Sequence, residues 1–522
     1  MPVHLRALVV LLVFATAVFA LSKRAATEYT MDESDFNRRR NVWFIVTVLA
    51  FVVHNFWLFM ILGAMVLLVM RREEHNTLGL YALLMFAVPP ITQKVPGFGL
   101  LNQLLELDYT RMLSLTLLLP AYFLARRDVK AHGDGWAWAD FCLLGYILVQ
   151  LGLRLQLDSL TNTLRYAVYA LIDVVLPYYV ASRSLRSAQA YRDVLMSFSI
   201  VALFLALVAS FEAVRHWLLY ADVTEALGLR WGYGKYLGRS ALLRAQGPTG
   251  QPIVLGCIFV IATGFFLVVK RYVVQHQRIW WLGMLLLICG LIGTVSRGPW
   301  VGAFAAFIVF RMAGPKALGG LFKTGIALAA IVAVVLLSPL KETVIDFLPF
   351  VGTVEAENVV YRQRMLEASV DIIWQNPWFG STDYVAELIA LDLVIGGMVD
   401  IVNTYVGVGL SNGLVGLGCF MGVFFLAGLS VVRWMRRLPD AECEERTIGQ
   451  GLLAALVGIC LTIATVSSIS FIPLMYWFVA GLCVGYPAMV KRKLSSLPVP
   501  APEPEPVNLR RGFGARPTSR PA

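Results

Sequence analysis

Residues 358–417 read NVVYRQRMLEASVDIIWQNPWFGSTDYVAELIALDLVIGGMVDIVNTYVGVGLSNGLVGL. This is the main long polar interruption in a chain that is otherwise nearly all apolar runs. It opens with helical periodicity, turns at Asn376-Pro377-Trp378-Phe379-Gly380, and closes on a glycine-rich apolar stretch. A long polar insert between apolar runs places aqueous chemistry at the edge of a bilayer, so the fold question turns on what flanks it.

The flanks are membrane spans. The chain has 522 residues, 58% hydrophobic and 15% charged, with mean hydropathy +0.71; soluble domains carry about 45–50% apolar residues. Apolar runs of about 18–25 residues alternate with charged punctuation, which predicts an all-α polytopic transmembrane bundle of about 12–14 spans. They fall near 4–21, 42–70, 77–93, 109–125, 136–155, 160–182, 194–220, 251–270, 279–295, 298–312, 321–338, 405–433, 450–468 and 472–490. The run 42–70 suits one tilted helix rather than two. Residues 1–21 read either as a first span or as a cleaved signal peptide, and the polytopic body favours the span.

The net charge of +11 is distributed against a nucleic-acid role. Basic clusters recur on alternate loops: Arg71-Arg72, Arg126-Arg127 with Lys130, Arg183 to Arg192, Lys270 to Arg278, Arg311 to Lys323, Arg433 to Arg437 and Lys491 to Lys493. The positive-inside rule puts these loops in the cytoplasm and the loops 221–250, 296–298 and 339–404 outside. The expected organisation is N-terminal spans over 1–243, a core over 244–435 containing a periplasmic loop 339–404 with short helices, C-terminal spans over 436–490, and a disordered Pro-rich cytoplasmic tail over 491–522.

No metal or cofactor pattern stands out. The six histidines are scattered without a ligand pair, and neither a phosphate loop nor a dinucleotide fingerprint is present. The seven cysteines fall in apolar runs, except Cys443 on a basic-acidic loop, so neither a disulfide framework nor thiol catalysis is expected.

Arginine on the outer side remains. Arg244 precedes a span, Arg297 tips a tight hairpin, and Arg362 starts the helix over 359–375. Three guanidinium groups from distant segments at one face suit a phosphate, because each stays charged and offers a planar fork of donors. Interfacial snorkelling is the alternative for each alone. Helical phase puts Arg362 with Leu366, Ser369 and Ile373 on the face expected to pack. Arg364 falls with Glu367 and Asp371 on a solvated one. Asp400, Asn403, Thr404 and Gly407 form a polar stripe entering the bilayer, with helix capping as the alternative for Asp400. His216, one turn after Glu212, reads mainly as an interfacial structural histidine.

These pieces in this order resemble the O-antigen ligase/polymerase superfamily of membrane glycosyltransferases, over roughly 244–418. They are Arg244 with Gly247 and Pro252, Ser296-Arg297, Arg362 ahead of Pro377 and Gly380, and Val402-Asn403-Thr404-Tyr405 followed by Asn412-Gly413 and Gly416. One departure stands out: the family histidine falls on Val402.

The resemblance implies a metal-independent transfer from a polyprenyl-diphosphate-linked oligosaccharide at the periplasmic face of a bacterial inner membrane. The acceptor would be another glycan, as in a polymerase of surface or exopolysaccharide, or the lipid A core or a protein, as in a ligase. The missing histidine tilts the reading toward a polymerase, with a flippase and a chain-length regulator as expected partners. Arg244, Arg297, Arg362 and Asp400 are the candidate catalytic residues. Arg239, Gly247, Ser296, Arg364, Asn403 and Tyr405 are the candidate substrate-binding ones. A transporter is the alternative from another class; the outer-edge concentration of polar groups and the lack of an internal repeat disfavour it.

Overall fold

Hydrocarbon offers backbone amides no partner, so apolar runs must close their hydrogen bonds within themselves. In the computed structural model they do so as helices. The structure describes residues 1–97, 103–132, 135–239, 242–315, 356–394, 399–440 and 442–496, with isolated positions 319, 322 and 325. The expected span 321–338, the first part of the loop 339–404 and the tail from 497 lie outside the described residues.

The helices run in order α1 (Val3–Tyr29), α2 (Glu33–Val52), α3 (Phe56–Met70), α4 (Thr77–Leu84), α5 (Tyr109–Leu113), α6 (Leu119–His132), α7 (Trp138–Leu157), α8 (Leu160–Ala170), α9 (Leu176–Ser184) and α10 (Ala188–Arg215). They continue as α11 (Val223–Ala226), α12 (Pro252–Val269), α13 (Gln277–Gly293), α14 (Arg297–Met312), α15 (Ala356–Gln375), α16 (Tyr384–Ala390), α17 (Thr404–Met435), α18 (Glu444–Ile463) and α19 (Ile472–Ser495). Two small antiparallel hairpins, β1 (Gln93–Pro96) with β2 (Gln103–Leu107) and β3 (Gly238–Arg239) with β4 (Leu242–Leu243), sit between helices.

Among the described residues, eight helical segments are long and apolar enough to cross a membrane: α1, α7, Leu160–Ser184, α10, α12, α17, α18 and α19. The all-α polytopic class therefore stands, and the remaining expected spans correspond to shorter helices or to undescribed residues. Two expectations change in detail. The run 42–70 is two helices, because His54 turns left-handed (φ +50) and the Asn55 side chain accepts from Leu58 N at 3.0 Å, starting α3 afresh. The run 77–93 holds only the eight-residue α4, with Pro89-Pro90 soon after it unable to continue a helix.

Prolines also explain two irregular turns. Pro120 and Pro177 each lack the N–H that would close the preceding turn, and each follows a π-helical turn, Ser114–Leu118 and Leu171–Val175.

The bundle has two chemically distinct ends. At one end the basic clusters meet the acidic start of α18. Arg192 pairs with Glu444 at 3.0 Å, Tyr272 donates to Glu444 at 3.0 Å, and Lys493 reaches Glu445 at 3.6 Å. Beside them Arg39, fully buried, donates to Glu74, Asp193 and Ser197. The other end gathers the loop 244–250, the 294–297 hairpin, the polar helix α15, and the strand-like approach to α17.

α15 and α16 carry a satellite core of their own. Met365, Ile372, Leu388, Leu393 and Leu410 cluster apart from the main core, with Leu410 contributed by α17. The outer module is thus seated on the bundle by apolar burial rather than by polar contacts alone.

Candidate functional site

The loop after β4 is fixed by a buried carboxylate. Glu212 lies near the end of α10, fully buried, and accepts from Leu219 N (3.0 Å), Gln246 N (2.9 Å) and Gly247 N (2.9 Å). Gly247 is left-handed (φ +49), which glycine adopts at little cost and which turns its amide inward onto Glu212. Ala245 N donates to Gly293 O at 2.9 Å, tying the same loop to the end of α13.

Arg244 is thereby held over the 294–297 hairpin. Its guanidinium donates to Thr294 O at 3.4 Å and to Ser296 Oγ at 2.9 Å. Thr294 O lies at the C-terminus of α13, where carbonyls lack helical partners and partial negative charge accumulates, so a cation is favoured there. Ser296 is buried and donates in turn to Thr294 O at 3.0 Å. Between them Val295 has φ +46, a strained conformation for a β-branched residue and a sign that the hairpin is held from both sides.

Arg297 is the first residue of α14 and is half-buried. Its helix packs on α18 through Gly298 and Gly302, where added Cβ atoms would overlap the hydroxyls of Thr465 and Thr462. Small residues let the two backbones approach closely. Thr465 then lines, with Arg362, Val402 and Asn403, a groove of about 190 Å³ between α15 and the start of α17. Arg244 thus bonds Ser296, Gly298 beside Arg297 abuts Thr465, and Thr465 shares the groove with Arg362. The three arginines of the sequence reading border one end of the bundle.

The phase of α15 differs from expectation. Its buried residues are Met365, Ser369 and Ile372, while Arg362, Leu366 and Arg364 are exposed. The helix rotates its apolar side onto Leu388, Leu393 and Leu410, which leaves Arg362 at the margin of the packed face rather than within it. From that margin it reaches the groove; Arg364 does not line it.

The polar stripe also resolves differently. The helix begins only at Thr404, so Asp400 precedes it and is exposed. The Asp400 carboxylate accepts from Ser467 Oγ at 2.9 Å, and its carbonyl accepts from the Tyr361 hydroxyl at 3.4 Å. Partial burial raises the Tyr361 phenol above its ordinary range, keeping it a donor there. Asn403 is the N-cap, accepting from Tyr405 N (2.9 Å) and Val406 N (3.3 Å). Thr404 donates to Val466 O at 2.7 Å, and Tyr405 turns into the bundle, donating to Cys460 O at 2.9 Å. Tyr405 thus has its hydroxyl occupied by protein. Arg239 is the last residue of β3, paired with Leu242 through its backbone.

The Pro-x-x-Gly turn and the Asn-Gly pair prove to be two halves of one lock. Gly413 breaks α17 (φ +62, ψ −168), and Gly380 is also left-handed (φ +80). The amides freed by the break are met by the turn: Leu414 N donates to Pro377 O (2.7 Å) and Val415 N to Trp378 O (3.2 Å). In return Ser381 N donates to Leu410 O at 2.9 Å. A Cβ at either glycine would overlap backbone of the other segment. The lock fixes where α15 ends relative to α17, hence where Arg362 stands over the groove.

Sequence reasoning missed several contributors. Glu212 drew notice only as a neighbour of His216, yet its carboxylate faces the loop, while exposed His216 takes the left-handed cap of α10 and lies 3.2 Å from the Tyr236 hydroxyl. An acid inside the apolar run 194–220 was the signal. A second cavity of about 630 Å³ beside the same loop is lined by Lys235, Thr249, Gln251 and the ion pair Arg111–Asp173, 2.8 Å. No periodicity links those segments. Asp32, Asp35 and His75 bring ligand-type atoms within 4.8 Å of one another at the opposite end, far from the groove in the fold.

Residues 282–421 match the family model described as O-Antigen ligase. The match supports the O-antigen ligase/polymerase superfamily and includes Ser296, Arg297, Arg362, Asp400 and Asn403, whereas Arg239, Arg244 and Gly247 precede it. No curated protein matches the chain.

Proposed function

We propose, from the O-antigen ligase domain at residues 282–421, that this membrane enzyme of the ligase/polymerase type joins lipid-linked oligosaccharide repeat units into a longer surface or exopolysaccharide. The donor is a glycan on polyprenyl diphosphate and the acceptor another lipid-linked glycan. What supports this reading is that Arg244 bonds Ser296, that Gly298 beside Arg297 abuts Thr465, and that Thr465 lines one groove with Arg362; a second cavity of about 630 Å³ beside the 244–250 loop has room for sugars.

In the proposed step the acceptor hydroxyl oxygen attacks the anomeric carbon. The bond from that carbon to the phosphate oxygen breaks, and its electron pair leaves with the lipid diphosphate. Arg244, Arg297 and Arg362 meet the added negative charge, as preplaced cations do for a transition state. Asp400, exposed and one residue before groove-lining Ile401, takes the hydroxyl proton. Direct displacement inverts the anomeric centre. Val402 lines the groove where the superfamily resemblance expects histidine, so the base must be recruited elsewhere. This favours the polymerase over transfer to lipid A core, in which that histidine is expected to serve. The arginine end faces the periplasm of a bacterial inner membrane in this reading, because the basic clusters gather at the opposite end.

The test is glycan synthesis in cells carrying the full chain. Arg362→Ala should abolish long glycan at normal protein level and membrane insertion, whereas Arg364→Ala should leave most of it. Full-length product from the Arg362 variant would end the assignment. Glycan found attached to lipid A core rather than to polyprenyl diphosphate would convert the polymerase reading to the ligase one.

A further inference from the structure

At the end of the bundle remote from the arginine groove, a cavity of about 380 Å³ opens between the last turns of α9, α17 and α19 and the first turn of α7. The length of α17 separates the two sites: Asn403 caps its start and Arg433 stands in its last turn, at most about 45 Å apart at 1.5 Å per residue, less whatever the break at Gly413 takes away.

Four cationic side chains line this cavity: Arg183, Arg186, Arg433 and Lys491. No carboxylate is among the described lining residues. Asp140 sits behind Arg183 and accepts from it, from the Tyr178 hydroxyl (2.8 Å) and from Ala137 N (2.7 Å). Arg183 is thus paired and Arg186 has a partner of its own, so Arg433 and Lys491 are the lining cations that make the recess positive, and two such groups suit an anion of more than one contact.

The walls are not those of a site for a fully soluble anion. Leu426 and Leu429 continue the lining along α17, and Leu429 is 43% exposed on the outer flank of the bundle. Trp136 and Trp138 stand at the mouth, 64% and 78% exposed. Indoles left open beside basic groups at helix ends mark the boundary between hydrocarbon and headgroups. Lys491 lies 5.5 Å from the Trp434 ring centroid, so aromatic surface also orients that cation. The cavity is thus cationic within and apolar along the side that faces lipid.

We propose that this cavity binds the phosphodiester headgroup of an anionic phospholipid, with its acyl chains lying along Leu426 and Leu429. Basic pockets between helices at the positive side of a membrane take such headgroups. The site joins α7 and α9 from the N-terminal half to α17 and α19 from the C-terminal half, so an occupant bridges both.

The experiment uses the full chain purified in detergent and offered equal amounts of phosphatidylglycerol and phosphatidylcholine with the same acyl chains, with retained lipid counted by native mass spectrometry. Wild-type protein should retain phosphatidylglycerol at least about tenfold over phosphatidylcholine. Arg433→Gln with Lys491→Gln should weaken that retention about 30-fold, two basic groups each acting about fivefold in a headgroup field. Arg72→Gln with Arg127→Gln, an equal charge loss at exposed positions elsewhere, should leave it unchanged. Equal retention of the two lipids by wild type, or equal loss in both double variants, would overturn the proposal. Millimolar inorganic phosphate should fail to displace the lipid; complete displacement would mean a free-anion site and would overturn it too. The wild-type lipid preference decides the matter even where a variant fails to fold.

Discussion

Replacing Glu212 by glutamine changes one oxygen of a buried group to an amino group while keeping its shape. The carboxylate has three backbone partners, two on one oxygen (Gln246 N, Gly247 N) and one on the other (Leu219 N). A glutamine can turn its carbonyl oxygen toward the first pair, but its amino group then faces the Leu219 amide, donor against donor. One bond to a charged acceptor is lost, worth about 1.5–3 kcal/mol, and the other two lose their charge assistance. We take about 3 kcal/mol as the cost of loosening the 244–250 loop. Amide hydrogen exchange at Gln246 and Gly247 should then accelerate by roughly 10²-fold, since local opening reports that free energy directly. Glycan product should fall by more than about tenfold, because small displacements of a positioning group are costly in rate. Glu212→Asp, which keeps the charge but shortens the reach, should lie between wild type and glutamine. Unchanged exchange at Gln246 and Gly247 together with full product from Glu212→Gln would refute the idea that this carboxylate holds Arg244 in place.

Other substitutions separate structural from chemical roles. Gly413→Ala should lower thermal stability in detergent by about 1–3 kcal/mol from backbone strain alone, and more from overlap with Trp378; product should fall with it as α15 is displaced, and a wild-type melting temperature would contradict the lock. Tyr405→Phe removes only the bond to Cys460 O, so stability should drop by about 1 kcal/mol while glycan length and yield persist; loss of product at normal stability would move Tyr405 into the chemistry. Arg39→Ala strips the shared partner from Glu74 and Asp193 and should cost about 3–5 kcal/mol, read as loss of monodisperse protein, with no selective effect on product per folded molecule.

Much of the architecture was legible because hydrocarbon imposes local rules. Runs such as 194–220 and 405–433 had to become helices, and α17 falls within two residues of its limits and α10 within six. Breaks were legible only where a residue enforces them by itself. Pro120 and Pro177 could be read in retrospect, but the interruption at His54-Asn55 depends on a cap and a left-handed turn that average apolarity conceals. The helical phase of α15 was readable in part: Ser369 packs as expected, whereas Arg362 and Leu366 are exposed. Its final rotation was set by Leu388, Leu393 and Leu410, two of them from segments whose position no periodicity fixes.

The sequence by itself determined the solvent this chain lives in, the helical answer to that solvent, and the residue types available for an anion at one face. Those follow from composition and spacing, because backbone satisfaction and charge are properties of single segments. Tertiary structure decided which groups remain available for chemistry. Asn403 became a cap, the Tyr405 hydroxyl turned inward, Glu212 became the clamp on Arg244, and Gly380 and Gly413 met across a helix break. Each of those outcomes is a pairing between segments far apart in the chain, and a hydrogen bond belongs to both partners, so neither segment alone could declare it.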